Sequence, residues 1–246
     1  MSKQDKENAP EKTPGTIWIG SFDIGKVNFC WYIEEIDPRD LADIKPIPEN
    51  QRYYPDGTPT PDMQNLLDQV CMHGKTILHT NSDLTKNCVK SKYLDPEVFH
   101  NLTNLLDKYS NYWDKCSYFI VEMQMAFRGK YNTMALKIGQ HCYSYFNICY
   151  GRFKQVLEFP AYYKTTVLGA QKIKGKRYKN GKTRWKTIDK PARKKWCVAK
   201  ATEILGYRGE EHILNNLKTK KKRDDLADTL CQCQSWKVLH FIHKTL

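Results

Sequence analysis

The sequence predicts an α/β protein with a mixed central sheet, antiparallel at its front and flanked by helices. Three observations support this class. Two β-rich runs open the chain, "TIWIGSFDIG" (Thr16–Gly25) and "VNFCWYIEEI" (Val27–Ile36), close enough to be joined by a tight turn. Short apolar runs return later and alternate with segments whose apolar residues recur at helical spacing. No internal repeat is present, so one continuous α/β order is expected over 246 residues rather than an array.

In chain order, Met1–Gly15 is polar, mixes both charge signs and lacks the apolar centre of a signal peptide, so it is expected to be a disordered tail. The two opening runs are strands. Asp37–Asp62 is dense in Pro and Asp and reads as a loop insertion that holds neither a long helix nor a central strand. "GKTILHTN" (Gly74–Asn81) is a third strand. A helix follows from the Asp95-Pro96 start, with Val98, Leu102, Leu105, Leu106 and Tyr109 on one stripe. "SYFIVEM" (Ser117–Met123) is a strand that ends in an acid. "NTMALKIGQHCYSYFNICYG" (Asn132–Gly151) is a long helix, apolar over much of its circumference. It is either central to the fold or the seam of a dimer through Tyr143, Phe146 and Tyr150. "QVLEFP" (Gln155–Pro160) is a strand, "KKWCVAKATEIL" a helix, and "RDDLADTLCQCQSWKVLHFI" the closing helix. One domain over 16–246 is expected, with 37–62 and 172–195 as its additions.

Composition narrows the function. There are 40 Lys and Arg against 27 Asp and Glu, a net charge of +13, which suits a polyanionic partner, nucleic acid first. No apolar run reaches the ~20 residues that span a bilayer, so no membrane partner is expected. The nine cysteines are scattered and include no C-x-x-C pair, which points to reduced thiols in a reducing compartment rather than to zinc. There is no P-loop and no G-x-G-x-x-G.

Against that basic background the acids stand out. Asp23 interrupts the first apolar strand and Glu122 ends another, and buried strands seldom carry carboxylates without a cation to meet them. In "KKRDDLADTL", Asp225 and Asp228 share a helix face, as do Asp224 and Asp228, and spacing alone does not choose between them. Two strands and a helix could bring these carboxylates into one cleft. Clustered carboxylates need a divalent ion or shared protons; hard oxygen ligands suit Mg²⁺, with Mn²⁺ as a substitute, and such ions cleave phosphodiesters. Taken singly, Asp23 and Glu122 also fit satisfied structural acids, and "RDD" fits first-turn acids at a helix N-terminus. Lys172–Lys195 holds twelve Lys or Arg in 24 residues, with Tyr178 and Trp185 among them. Its side chains Lys172, Lys174, Lys176, Arg177, Lys179, Lys182, Arg184, Lys186, Arg193 and Lys194, with Arg128 and Lys130 upstream, are candidates for DNA phosphates. Trp185 is a candidate for stacking on unpaired bases, or the segment is a solvated loop that meets phosphates only.

The order of these motifs resembles the RuvC-type Holliday-junction resolvases, in particular their poxvirus and other large-DNA-virus branch. "FDIG", "IVEMQMAF", "NTMALKIGQ", "VLEFP" with "YKTTVLGA", "KKWCVAKATEIL" and "DDLADTL" occur in the family's order over most of Ile17–Leu239. The resemblance implies an RNase H-like fold and a homodimer that resolves four-way DNA junctions by paired, Mg²⁺-dependent nicks. It implies catalytic and metal-binding roles for Asp23, Glu122, Asp225 and Asp228, and active-site lysines at Lys164 and Lys195. It matches Phe127 to the aromatic near the junction centre. It favours Asp225 over Asp224, leaving Asp224 to face Arg223 or solvent. A virus-infected cell, at a cytoplasmic replication site, is the implied setting. The Pro-rich insertion and the length of the basic segment have no counterpart in the family pattern. Other branched or RNA–DNA hybrid substrates, or DNA binding without catalysis, are the alternative functions.

Overall fold

The apolar residues of the opening runs alternate, and in the computed structural model they form the centre of a sheet. The structure describes residues 6–89, 93, 95–124, 132–177, 181 and 183–246. In chain order the elements begin with β1 (Ile17–Asp23), β2 (Phe29–Ile36), a 3-10 turn (Pro38–Leu41), α1 (Glu49–Arg52) and α2 (Pro61–Met72). They continue with β3 (Lys75–Ser82), α3 (Glu97–Lys108), α4 (Ser110–Trp113), β4 (Cys116–Met123), α5 (Thr133–Tyr150) and β5 (Gln155–Pro160). The last are α6 (Tyr163–Thr166), β6 (Ile173–Arg177), β7 (Thr183–Lys186), α7 (Lys190–Tyr207), α8 (Glu211–Thr219), α9 (Arg223–Lys237) and a π-helical turn (Val238–Ile242). They fall into two compact units. One comprises the chain up to Asp37 with Gly74–Ala161; the other comprises Pro38–His73 with Tyr162–Leu246.

The first unit is built on a five-stranded sheet in the order β3-β2-β1-β4-β5. β1–β2 and β2–β3 are antiparallel; β1–β4 and β4–β5 are parallel. This mixed sheet with an antiparallel front, flanked by helices, is the expected α/β class. Alternation along β1 sends Trp18 and Phe22 to one face, where they join Phe29, Trp31, Phe119 and Val121. Helices α3, α4 and α5 cover that face with Leu102, Leu106, Trp113, Ile138, Cys142 and Phe146. Phe146 stacks on Phe119 at 4.2 Å between ring centroids and meets Trp113 edge-on at 5.6 Å.

Phe146 is fully buried, and Tyr143 and Tyr150, both half-buried, lean on the same core, so the aromatic stripe of α5 packs on its own sheet. The exposed apolar residues of α5 are Leu136 and Ile148. The expected disordered tail is ordered from residue 6 onward. Glu7 pairs with Lys108 at 2.8 Å, the Tyr112 hydroxyl donates to the Asn8 carbonyl, and Thr13 N donates to Glu35 at 2.8 Å. A polar tail gains order here because helix-end and strand side chains bind its backbone.

In the second unit, α7 and α9 pack together with α2, α6 and α8, and β6 and β7 form a separate two-stranded hairpin. The Pro-rich insertion starts as expected, with only short turns, but from Pro61 it becomes α2. Thr60 caps this helix and Pro61 stands in its first turn, where no N–H is needed. The end of α2 is held by two cations. Lys237, fully buried in α9, donates to the carbonyls of Val70 (3.0 Å) and His73 (2.5 Å) and to Gln234 Oε1 (2.9 Å). Arg208 Nε donates to the Cys71 carbonyl at 2.7 Å. The last carbonyls of a helix have no intrahelical partner and carry its negative end, so buried cations are stable there. The insertion is thus part of the unit's framework. α9 is buried from Thr229 to Lys237, which explains why its sequence shows so little amphipathic pattern.

Candidate active site

In the sheet unit the acids lie where the strand order reverses. The chain lays down β1, β2 and β3 outward in one direction, then β4 and β5 in the other. The carboxyl ends of β1 and β4 therefore form the switch point at which open α/β sheets generally bind ligands. The ladder aligns Phe22 with Val121, and Asp23 and Glu122 are the next residue on each strand. In a parallel pair this sends both carboxylates to the same face, on strands ~4.8 Å apart. Both are half-buried, and Gln124 Nε2 reaches Glu122 at 3.4 Å. Two neighbouring carboxylates raise each other's cost of ionisation, and a divalent cation relieves it.

The helical unit places its acids against lysines. Lys164 is 3 % exposed and its ammonium donates to Asp228 at 3.0 Å. Lys194 on α7 donates to both Asp224 and Asp225, the latter at 2.9 Å. Burial alone would lower the pKa of Lys194; the hydrogen bonds it donates to Asp224 and Asp225 outweigh burial and raise it. Burial likewise works against the Asp224 carboxylate, but the bond from Lys194 holds its pKa below the usual range.

These contacts place two of the expected residues. Lys195, matched to the second active-site lysine, is exposed and makes no ion pair among the described residues, whereas its neighbour Lys194 meets the acids. Helical geometry is the reason. Lys194 stands three residues before Cys197 and seven before Ala201, on the buried stripe of α7, and one residue further turns a side chain ~100° away. That stripe was readable in the sequence and would have selected Lys194. Lys194 is accordingly taken up with acids of its own unit instead of standing free for DNA. Asp224, expected to face Arg223 or solvent, shares Lys194 with Asp225.

The candidate DNA contacts divide in the same way. Lys174, Lys176, Arg177, Arg184 and Lys186 are exposed on the β6–β7 hairpin, and Trp185 pairs across it with Lys174. Lys172 precedes the hairpin, half-buried, and Arg193 is half-buried on α7. Phe127, Arg128, Lys130, Tyr178, Lys179 and Lys182 lie outside the described residues.

Among the described residues no three His, Cys, Asp or Glu side chains are gathered closely enough to enclose a metal ion. Mg²⁺ does not require such a cage: it keeps several waters and is commonly held by one or two carboxylates together with substrate phosphate. The Asp23–Glu122 pair is a donor set of that kind, so it fits Mg²⁺. No helix among the described residues is long and apolar enough to cross a membrane.

No protein-family profile matches the chain. Over 95 % of its length it is 34 % identical to the "Uncharacterized protein 170L" of Invertebrate iridescent virus 6, covering 94 % of that protein. It is 29 % identical over 89 % of its length to the "Uncharacterized protein 97L" of Invertebrate iridescent virus 3, covering 98 % of it. Among solved structures it matches the fowlpox virus Holliday junction resolvase at 17 % identity and a TM-score of 0.43, over 90 % of this chain and 97 % of that one.

Proposed function

The chain belongs to the iridovirus protein family that includes 170L, and we propose from its own residues that it is a metal-dependent endonuclease acting on branched DNA, four-way junctions above all. The observation that supports this most is the pairing of Asp23 with Glu122 at the carboxyl ends of adjacent parallel strands, at the switch point of the sheet. Two half-buried carboxylates on adjacent strands form a donor set for a divalent ion, and hydrolysis of a phosphodiester gains a metal site. The resemblance carried by the six motifs implies metal-binding roles for Asp225 and Asp228 also.

In this mechanism Asp23 and Glu122 would hold Mg²⁺, which when bound would activate a water and stabilise the leaving oxygen. The chain's own residues do the rest. Lys164, almost fully buried and held by Asp228, keeps a fixed positive charge that opposes the charge growing on the phosphate in the transition state. Lys194 spaces Asp224 and Asp225 and sets the first turn of α9. The exposed cations of the β6–β7 hairpin bind backbone phosphates by displacing counterions, which supplies affinity without sequence preference. A homodimer would carry two such sites about a twofold axis, matching the symmetry of a four-way junction and its paired nicks.

The test is a substrate panel. A mobile four-way junction, a flap, a linear duplex and an RNA–DNA hybrid, each end-labelled, are incubated with the purified chain and Mg²⁺, and the nicks are mapped on every strand. Symmetric nicks in opposed strands of the junction are expected. Preference for the hybrid would replace junction resolution with an RNase H-type activity. Binding without cleavage of any substrate would overturn the nuclease function.

A further inference from the structure

The helical unit also contains a cavity of about 450 Å³ whose walls play no part in the nuclease chemistry. Its volume is within the ~300–1,000 Å³ typical of small-molecule sites. It opens between α1, the start of the β6–β7 segment and the residues after the π-helical turn, all inside one unit.

Three polar side chains converge on it. Arg52 uses its Nε on the Ile47 carbonyl at 2.7 Å, which fixes the guanidinium and leaves both terminal nitrogens without a partner among the described residues. Lys172 forms no ion pair among the described residues either. Its backbone is tied to the Asp56 carbonyl at 2.6 Å, and its stem lies across Gly57, where a Cβ would come within 3.1 Å of Lys172 Cε. Gly57 also has φ +84°, so the position accepts glycine for two reasons. The third is His243. Both of its ring nitrogens are buried, and neither has a hydrogen-bond partner among the described residues. Native proteins rarely leave a buried imidazole with no partner at either nitrogen. Burial and the nearby Arg52 push its pKa down to about 4, so the ring is neutral at physiological pH and offers one donor and one acceptor. The remaining wall includes the rings of Tyr53 and Tyr163 and the side chain of Leu239, beside Thr166 and Thr245, whose hydroxyls donate to the Tyr162 and Leu239 carbonyls. The Tyr53 hydroxyl is committed to the Val167 carbonyl at 2.6 Å, which holds that ring rigid.

We propose that this cavity binds a nucleoside monophosphate group. A guanidinium with two available N–H groups, next to a second fixed cation, matches a phosphate; guanidinium–phosphate pairs are bidentate and charge-assisted. A rigid aromatic and apolar wall suits a flat ring system. The imidazole of His243 adds a further flat ring to that wall, with its nitrogens beneath the cavity surface. Glu49, exposed, is the acid in the lining, so the site favours an anion. The group can come from a free mononucleotide or from the phosphorylated end of a DNA strand.

Titration calorimetry on the full chain tests this with dAMP, dCMP, deoxyadenosine, inorganic phosphate, and a short oligonucleotide with and without a 5′-phosphate. Mononucleotides are expected to bind at least about tenfold more tightly than the nucleoside or phosphate alone, since each supplies only part of the binding groups. Arg52→Gln and His243→Ala should each weaken mononucleotide binding about tenfold or more, and Lys172→Gln, on a half-buried side chain, provides a variant that leaves the framework intact. Asp23→Asn should bind as the wild type does, which separates this site from the nuclease function. Tight binding of the free mononucleotide identifies the soluble source, and preference for the 5′-phosphorylated oligonucleotide identifies the strand end. No heat signal from any nucleotide at about 5 mM, equal binding of inorganic phosphate, or unchanged binding in all three variants would overturn the proposal.

Discussion

Replacing Lys194 with alanine removes one cation from two carboxylates. Lys194 is 32 % exposed, Asp224 23 % and Asp225 18 %, so the network lies between a surface ion pair and a buried one. Exposed pairs contribute ~0.2–1 kcal/mol, and breaking a buried pair costs ~3–5 kcal/mol because a charge is left unpaired. With two partly screened partners, Lys194→Ala should cost about 2 kcal/mol, or roughly 4–8 °C in Tm for a chain of this size. Lys195→Ala, on an exposed side chain, should stay within about 0.5 kcal/mol. Urea denaturation of both variants measures the difference, and the Lys194→Ala/Asp224→Asn double-mutant cycle should return a coupling above about 0.5 kcal/mol. Acid titration gives a second reading. The folded pKa of Asp224 is depressed, so its contribution is present above the unfolded value and is lost as pH falls through the folded one. That loss should be smaller in Lys194→Ala. Equal effects of the two lysine variants, or a larger one at Lys195, would refute the placement of Lys194 on the acids.

Lys237→Met should destabilise by about 2–4 kcal/mol, because the carbonyls of Val70 and His73 lose a buried cation; urea denaturation with an unchanged m-value is the check. His243 has a depressed folded pKa, so between about pH 6.5 and 4 the unfolded chain binds more protons and stability falls with pH. In His243→Gln that slope should flatten, as measured by Tm across this window. Neutralising Lys174, Lys176 and Arg177 together should weaken junction binding and reduce its log–log salt slope by about 0.9 for each phosphate no longer neutralised, measured by anisotropy between about 50 and 200 mM salt.

The sheet was legible because its strands alternate or run apolar between turn residues, and the boundaries of β5 and α5 follow directly from Pro160, Asn132 and Gly151. The helix α2 was obscured by the prolines before it, although Thr60-Pro61 is a sound helix start. The hairpin was hidden because its strands are mostly cationic, and lysine-rich runs carry no periodic apolar signal. Within the site, the strand acids could be read as out of place in apolar runs. The partner of the Asp224–Asp225 pair could not be read from the borrowed motif alone, since that fixes a lysine only to within one residue. The buried stripe Cys197, Ala201, Ile204 and Leu205 supplies the missing rotation. Phe146 shows the opposite limit: aromatic residues at helical spacing look alike whether they close a core or a dimer, and its stack on Phe119 became visible only in the structure.

The most direct test of the proposed nuclease is single-turnover nicking of a mobile four-way junction by the wild type, Asp23→Asn and Glu122→Gln across a Mg²⁺ titration, with junction affinity measured in parallel. Each substitution removes one ligand charge and keeps the side-chain shape. The expected result is Mg²⁺-dependent cleavage by the wild type and a rate lowered by roughly 10²-fold or more in each variant, with affinity changed by less than about tenfold because phosphate binding on the hairpin supplies it. Cleavage by either variant at the wild-type rate and with the same Mg²⁺ requirement would contradict the assignment of Asp23 and Glu122 as the metal-binding pair.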